Sequence, residues 1–99
     1  MYTIEYAEGV VEYLRSLRAY DRRQVLDTIH KRLSEAPTQR SRNKKVLIGL
    51  KPPWEQEEPM WELRVGNYRV FYDVNENAER VLVRAVRQKL PHQTTEEIL

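Results

Sequence analysis

The 99-residue chain contains no cysteine, which excludes a disulfide framework and a thiolate zinc site and points to a reducing, cytoplasmic setting. No apolar run approaches the length of a membrane span, and Met1-Tyr-Thr-Ile-Glu-Tyr6 lacks the basic and apolar regions of a signal peptide, so no membrane association is expected. The two histidines, His30 and His92, stand at no metal-ligand spacing to each other or to carboxylates; neither a metal nor another cofactor is implied. Internal repeats and low-complexity tracts are also missing. What remains is a hydrophobic fraction of 40%, enough for one compact domain over residues 1–99. Net charge is only +2, but it is segregated: Arg40, Arg42, Lys44 and Lys45 precede the acidic Glu55, Glu57 and Glu58.

The chain is organised around Trp61-Glu-Leu-Arg-Val-Gly-Asn-Tyr-Arg-Val-Phe-Tyr-Asp-Val74. Its two alternating runs are joined by Gly66-Asn67, a pair that tolerates the positive φ of a tight hairpin turn. A two-residue loop sets Val65 opposite Tyr68, Arg64 opposite Arg69, Leu63 opposite Val70, Glu62 opposite Phe71 and Trp61 opposite Tyr72. Trp61, Leu63, Val65, Tyr68, Val70 and Tyr72 then share one face, the core face. On the other face Arg64 lies beside Arg69. Like charges facing each other across strands are destabilising unless something anionic sits over them, which makes this pair the first candidate for function.

Before the hairpin, Tyr2, Ile4 and Tyr6 alternate with polar residues, as in a short strand expected to pair with the hairpin. Val10, Val11, Leu14 and Leu17 recur at helical spacing and predict a helix over about Ala7 to Arg18. Asp21, with Gln24 three residues on, reads as the N-cap of a second helix carrying Val25, Leu26, Ile29 and Leu33 and stopped by Pro37. Thr38 to Lys45 reads as an exposed loop, Val46 to Leu50 as a strand, and Lys51 to Pro59, with three prolines, as an acidic loop. Arg80 to Val86 is a strong last strand after a four-residue connection, with Val81, Val83 and Ala85 on the core face. Pairing Asp73 with Arg80 and Arg69 with Arg84 is favoured by one opposite-charge pair, and it would align Arg64, Arg69 and Arg84 across three strands. Pro91 stops the strand, and Thr94 to Leu99 is either one helical turn or disordered. The elements give an α+β fold: an N-terminal strand and helical hairpin, then an antiparallel sheet of three to four strands with the helices on one face.

An arginine row suits phosphate, because guanidinium forks match its oxygens bidentately and stay charged at any working pH. The competing reading is a charged sheet face neutralised by a partner's acidic side chains. The basic run Arg40, Arg42, Lys44 and Lys45 would follow a nucleic-acid backbone or simply be solvated. Trp54 could stack a base or cap the core. Proton-transfer candidates near the same end of the sheet are Glu62, Lys89 and His92.

Leu63-Arg-Val-Gly-Asn-Tyr-Arg-Val-Phe-Tyr-Asp73, followed by a strand ending in basic residues, resembles the RelE/ParE family of toxins from prokaryotic type II toxin–antitoxin pairs. The resemblance extends over nearly the whole chain. It implies a RelE-like fold, a cognate antitoxin as partner and, as target, either the ribosome and its mRNA, cleaved through 2′-hydroxyl attack, or DNA gyrase. A relative that only binds its antitoxin is a third outcome. By the same resemblance Arg64, Arg69 and Lys89 are catalytic candidates; His92, a few residues beyond the family pattern, joins them only as a proton-transfer candidate, and Arg40, Arg42, Lys44, Lys45, Arg84 and Arg87 are RNA-binding candidates by their charge. The chain departs from the family's best-known ribonucleases where it has Met60 and Glu62 in place of lysines, Gln88 where some relatives carry histidine, and no tyrosine after Tyr72.

Overall fold

The computed structural model describes residues 1–99. In chain order the elements are β1 (Thr3–Tyr6), α1 (Glu8–Ser16), α2 (Ala19–Leu33), β2 (Lys44–Leu47), β3 (Met60–Val65), β4 (Tyr68–Asn75), β5 (Arg80–Gln88) and α3 (Thr95–Ile98). One five-stranded sheet runs β1-β5-β4-β3-β2, an α+β arrangement with α1 and α2 packed against one face. No helix is long and apolar enough to cross a membrane.

The helices follow their apolar spacing, except that Val11, expected on the stripe of α1, is 38% exposed. Val10 and Leu14 of α1 and Val25, Ile29 and Leu33 of α2 bury against Trp61, Leu63, Val65, Tyr68, Val70, Tyr72, Val81, Val83 and Val86 of the sheet. The second helix begins earlier than its capping pattern predicts, at Ala19 after Arg18 and without a side-chain cap; Asp21 falls in its first turn, where the carboxylate has other partners. It lies 3.5 Å from the Arg18 guanidinium and accepts the Tyr68 hydroxyl at 3.1 Å. At the far end, Ser34 donates back to the His30 carbonyl, and Lys44 Nζ donates to the carbonyls of Arg32 (3.2 Å) and Ala36 (2.6 Å). Lys44 thereby serves the Arg32 carbonyl in the last turn of α2 and the Ala36 carbonyl just beyond it, which also accepts the Gln39 N–H at 3.3 Å.

The β3–β4 hairpin has the register read from its alternation, with Trp61 opposite Tyr72 and Arg64 opposite Arg69, and Gly66 takes the positive φ of 56° that its turn demands. Trp61 and Tyr72 stack with ring centroids 6.2 Å apart.

Three expectations are corrected. The first strand pairs in parallel with β5, Thr3 to Tyr6 against Arg80 to Val83, rather than with the hairpin, whose two outer edges are taken by β2 and β5. The strand before the acidic loop starts at Lys44 rather than Val46, since Lys44 and Val46 pair opposite Leu63 and Trp61 and point toward the helices. The third correction concerns β5. An irregularity between Phe71 and Tyr72 sets Tyr68–Phe71 against Gln88–Ala85 but Tyr72–Asn75 against Val83–Arg80, leaving Arg84 as the extra residue of a bulge. Asp73 therefore lies opposite Leu82, and Arg69 opposite Arg87. The bulge reverses the alternation, so Val83 and Val86 both reach the helix-side core while Ala85 turns to the other side.

That other side carries a second, smaller core. Met60, Phe71, Ala85 and Ile98 are buried there with Leu47, Leu50, Trp54 and Leu99 packed around them. The C-terminal tail reaches it as the short helix α3, closed by a reciprocal capping box between Thr94 and Glu97.

Candidate functional site

The side of the sheet away from the helices opens, near the Gly66-Asn67 turn, into a cleft of about 230 Å³. Five cations line it: Arg42, Lys45, Arg64, Arg69 and Lys89. Asn43, Glu62 and Thr95 complete the wall, and no apolar side chain does. The strand pairing explains the crowding. Arg64 and Arg69 are held opposite each other by the hairpin, Lys45 is brought opposite Glu62 by β2, and Lys89 follows the end of β5 with its N–H donated to the Asn67 carbonyl at 2.6 Å.

Arg64 is exposed and makes no ion pair with a carboxylate. Arg69 is buried, 7% exposed, with Nη1 donating to the Gly66 and Tyr68 carbonyls at 2.9 Å each, which fixes its head group at the turn. Burial, and then the neighbouring Arg64, lower the Arg69 pKa from the ordinary arginine value, while Glu62 acts in the opposite sense. Such an array of guanidinium and ammonium groups with few counter-charges has the chemistry to receive phosphate oxygens. Glu62 is the one carboxylate on the wall. It is 3% exposed, lies 3.5 Å from Lys45 Nζ and accepts the Thr95 hydroxyl at 3.0 Å.

The remaining residues predicted for the site lie elsewhere. Lys44 points to the helix side, where burial and Arg32 lower its pKa, and its contacts with the Arg32 and Ala36 carbonyls withdraw it from any nucleic-acid backbone. Arg84 is spent on Asp73, Nε to Oδ2 2.6 Å, and its place in the arginine row is taken by Arg87. Arg87 lies over the Trp54 ring, 4.9 Å from its centroid. Arg40 and His92 are exposed, in the loop before β2 and in the turn before α3, and neither lines the cleft. Sequence reasoning missed Asn43 and Thr95. The Thr94-x-x-Glu97 spacing was a signal for α3 that could have carried Thr95 with it.

Comparison with known proteins joins these observations. Residues 4–89 match the family model for the ParE toxin of type II toxin–antitoxin systems, parDE. The chain belongs to that family of toxins. Among solved structures it is similar to the archaeal RelE–RelB complex from Pyrococcus horikoshii, at 23% identity and TM-score 0.70, covering 91% of this chain and 97% of that one. It is also similar to the RelBE2 toxin–antitoxin complex from Mycobacterium tuberculosis, at 21% identity and TM-score 0.68 over 89% and 98% of the two chains. The isolated RelE toxin of E. coli gives 23% identity and TM-score 0.63 over 98% and 94%. At these identities the likeness speaks for the fold. No curated protein matches in sequence. The toxin is thus of the RelE/ParE type, with its cationic cleft on the sheet side opposite α1 and α2.

Proposed function

We propose that this toxin is an endoribonuclease that cleaves mRNA on the ribosome and so arrests translation. The observation that carries the reading is the facing pair Arg64 and Arg69, joined in one cleft by Arg42, Lys45 and Lys89 with a single carboxylate. Arg64 and Arg69 bind the scissile phosphate and stabilise the charge that builds on it as the 2′-hydroxyl attacks. Glu62 accepts the 2′-hydroxyl proton, Lys89 protonates the departing 5′-oxygen, and a 2′,3′-cyclic phosphate is left on the upstream fragment. No step calls for a metal. The similar RelE–RelB and RelBE2 structures are toxin–antitoxin complexes, and an antitoxin is the expected partner here too. An acidic, partly disordered segment of it would be steered to the cleft and cover it.

A second reading, inhibition of DNA gyrase, is favoured by the ParE family match and by Met60 and Glu62 standing where ribonucleases of the superfamily carry lysines. Primer extension on a translated mRNA, run beside a gyrase supercoiling assay with the same purified protein, separates the two. Cleavage only in the presence of ribosomes, lost in Arg69→Ala, supports the first. Gyrase inhibition without cleavage replaces it with the second.

A further inference from the structure

One ring system outside the cleft is held by contacts from its own loop, from the sheet beneath and from a guanidinium above. Trp54 sits in the proline-rich loop between β2 and β3, and that loop is tied to the sheet through Asp73. The Asp73 Oδ2 atom accepts from the Glu57 N–H at 3.0 Å, from Gln56 Nε2 at 3.3 Å and from Arg84 Nε at 2.6 Å. The indole N–H is in turn satisfied within the loop, by Gln56 Oε1 at 2.7 Å. Below it, Phe71 supports the indole from the sheet, with centroids 5.4 Å apart and planes tilted by 42°. Arg87 lies over the ring. This guanidinium is paired with no carboxylate and donates one hydrogen bond, Nη1 to the Val86 carbonyl at 3.2 Å, so most of its donors are free. Arg87 is directly opposite Arg69, which lines the cleft, and residues paired across strands carry their side chains on the same face about 5 Å apart. A preformed, half-exposed stack of aromatic ring and guanidinium therefore adjoins a phosphate receptor.

We propose that Trp54 and Arg87 form a nucleobase platform for single-stranded RNA: with a phosphate in the Arg64–Arg69 cleft, an adjacent base stacks on the Arg87 plane and the indole beneath it. Bases stack on aromatic rings and on guanidinium planes alike, whatever their identity, because each has a π-face. The fixed indole gives up little freedom on binding, which is the condition for such a contact to add affinity. The platform also explains why the arginine row ends on a stacked guanidinium rather than on an ion pair. It rests on the RNA reading of the cleft and adds to it a site for the base.

The test is titration of the full-length protein with a short oligoribonucleotide carrying 2′-O-methyl groups, which prevent cleavage, followed by intrinsic fluorescence at low salt. Trp61 is 5% exposed and paired with Tyr72, so Trp54 is the tryptophan able to report on a stacked base. Quenching on binding is expected, absent in Trp54→Leu. One stacked base corresponds to roughly 5- to 150-fold in affinity, and Trp54→Leu and Arg87→Lys should each lose an amount in this span. Trp54→Phe, which keeps a ring for the small core, should retain part of it. An abasic oligonucleotide should bind the wild type as weakly as the intact one binds Trp54→Leu. Binding that depends on Arg64 but is indifferent to Trp54, to Arg87→Lys and to removal of the bases overturns the platform and leaves the RNA reading standing. No RNA binding at all, with Trp54 quenched only by an antitoxin, overturns both.

Discussion

On its helix side the sheet buries Leu63, Val70, Tyr72, Val81 and Val83 beneath residues from two helices, and the only charged side chain pointing that way, Lys44, has a structural task. The opposite side buries Met60, Phe71, Ala85 and Ile98 under one loop tryptophan and a single turn of helix, between a cationic cleft at one end and the Asp73–Arg84 pair at the other. Apolar area removed from water is what stabilises a small domain. A face that gives most of its area to the core is therefore unavailable for recognition, and the face that keeps unpaired arginines contributes less to the fold. The same two β-strands serve both, because side chains alternate at period two.

Four substitutions probe this division. Tyr72→Ala on the helix side should cost about 3–5 kcal/mol, the usual range for truncating a large buried aromatic, and urea unfolding would show it. A loss under about 1 kcal/mol would mean the core face is assigned wrongly. On the open side, Asp73→Asn should cost ~3 kcal/mol, since it leaves Arg84, with a side chain 12% exposed, without its counter-charge. It should also release the loop that carries Trp54, seen as increased quenching of tryptophan fluorescence by iodide. Unchanged quenching would show that Asp73 does not tether the loop.

Removing only a hydroxyl is milder. Tyr72→Phe loses the hydrogen bond to the Pro37 carbonyl, 2.7 Å, worth about 1 kcal/mol. Burial raises the Tyr72 pKa from the ordinary 10.0, and burial followed by the Asp21 hydrogen bond raises that of Tyr68. The sign follows from which state ionises first. Below pH 10 both states hold the phenolic proton and this stability is fully present; above it the unfolded chain ionises while the folded one does not, so stability falls as pH rises. Lys44, lowered in the fold, acts in the opposite sense below 10.5, but equally in both proteins. Urea midpoints between pH 8 and 11 should therefore fall less steeply in Tyr72→Phe than in the wild type, and parallel curves would contradict a buried neutral Tyr72.

The smallest effect on stability is expected for Arg69→Ala. Two hydrogen bonds to carbonyls are lost, but the repulsion from Arg64 is relieved, and the net change should stay within about 1 kcal/mol. Growth arrest on expression should nonetheless disappear. A folded Arg69→Ala protein that remains fully toxic would place the active surface away from this cleft.

Reading the chain without its fold went furthest where an interaction is local. The Gly66-Asn67 turn and the alternation on either side determine the hairpin register, since a slip by one residue would turn every apolar side chain outward. The same reasoning places Arg64 beside Arg69, and apolar spacing alone marks both helices and most of the residues they bury, Val11 excepted. The register of β5 was beyond it. One opposite-charge pair worth a few tenths of a kcal/mol cannot compete with the bulge that lets Val83 and Val86 both enter the core, and that choice depends on what the helices offer from above. Tertiary structure likewise decided that Lys44 faces a helix end, that Arg84 is consumed by Asp73 while Arg87 meets Trp54, and that Thr95 reaches Glu62. These are contacts between segments distant in sequence, and their partners are chosen by the space and charge left once the core has formed.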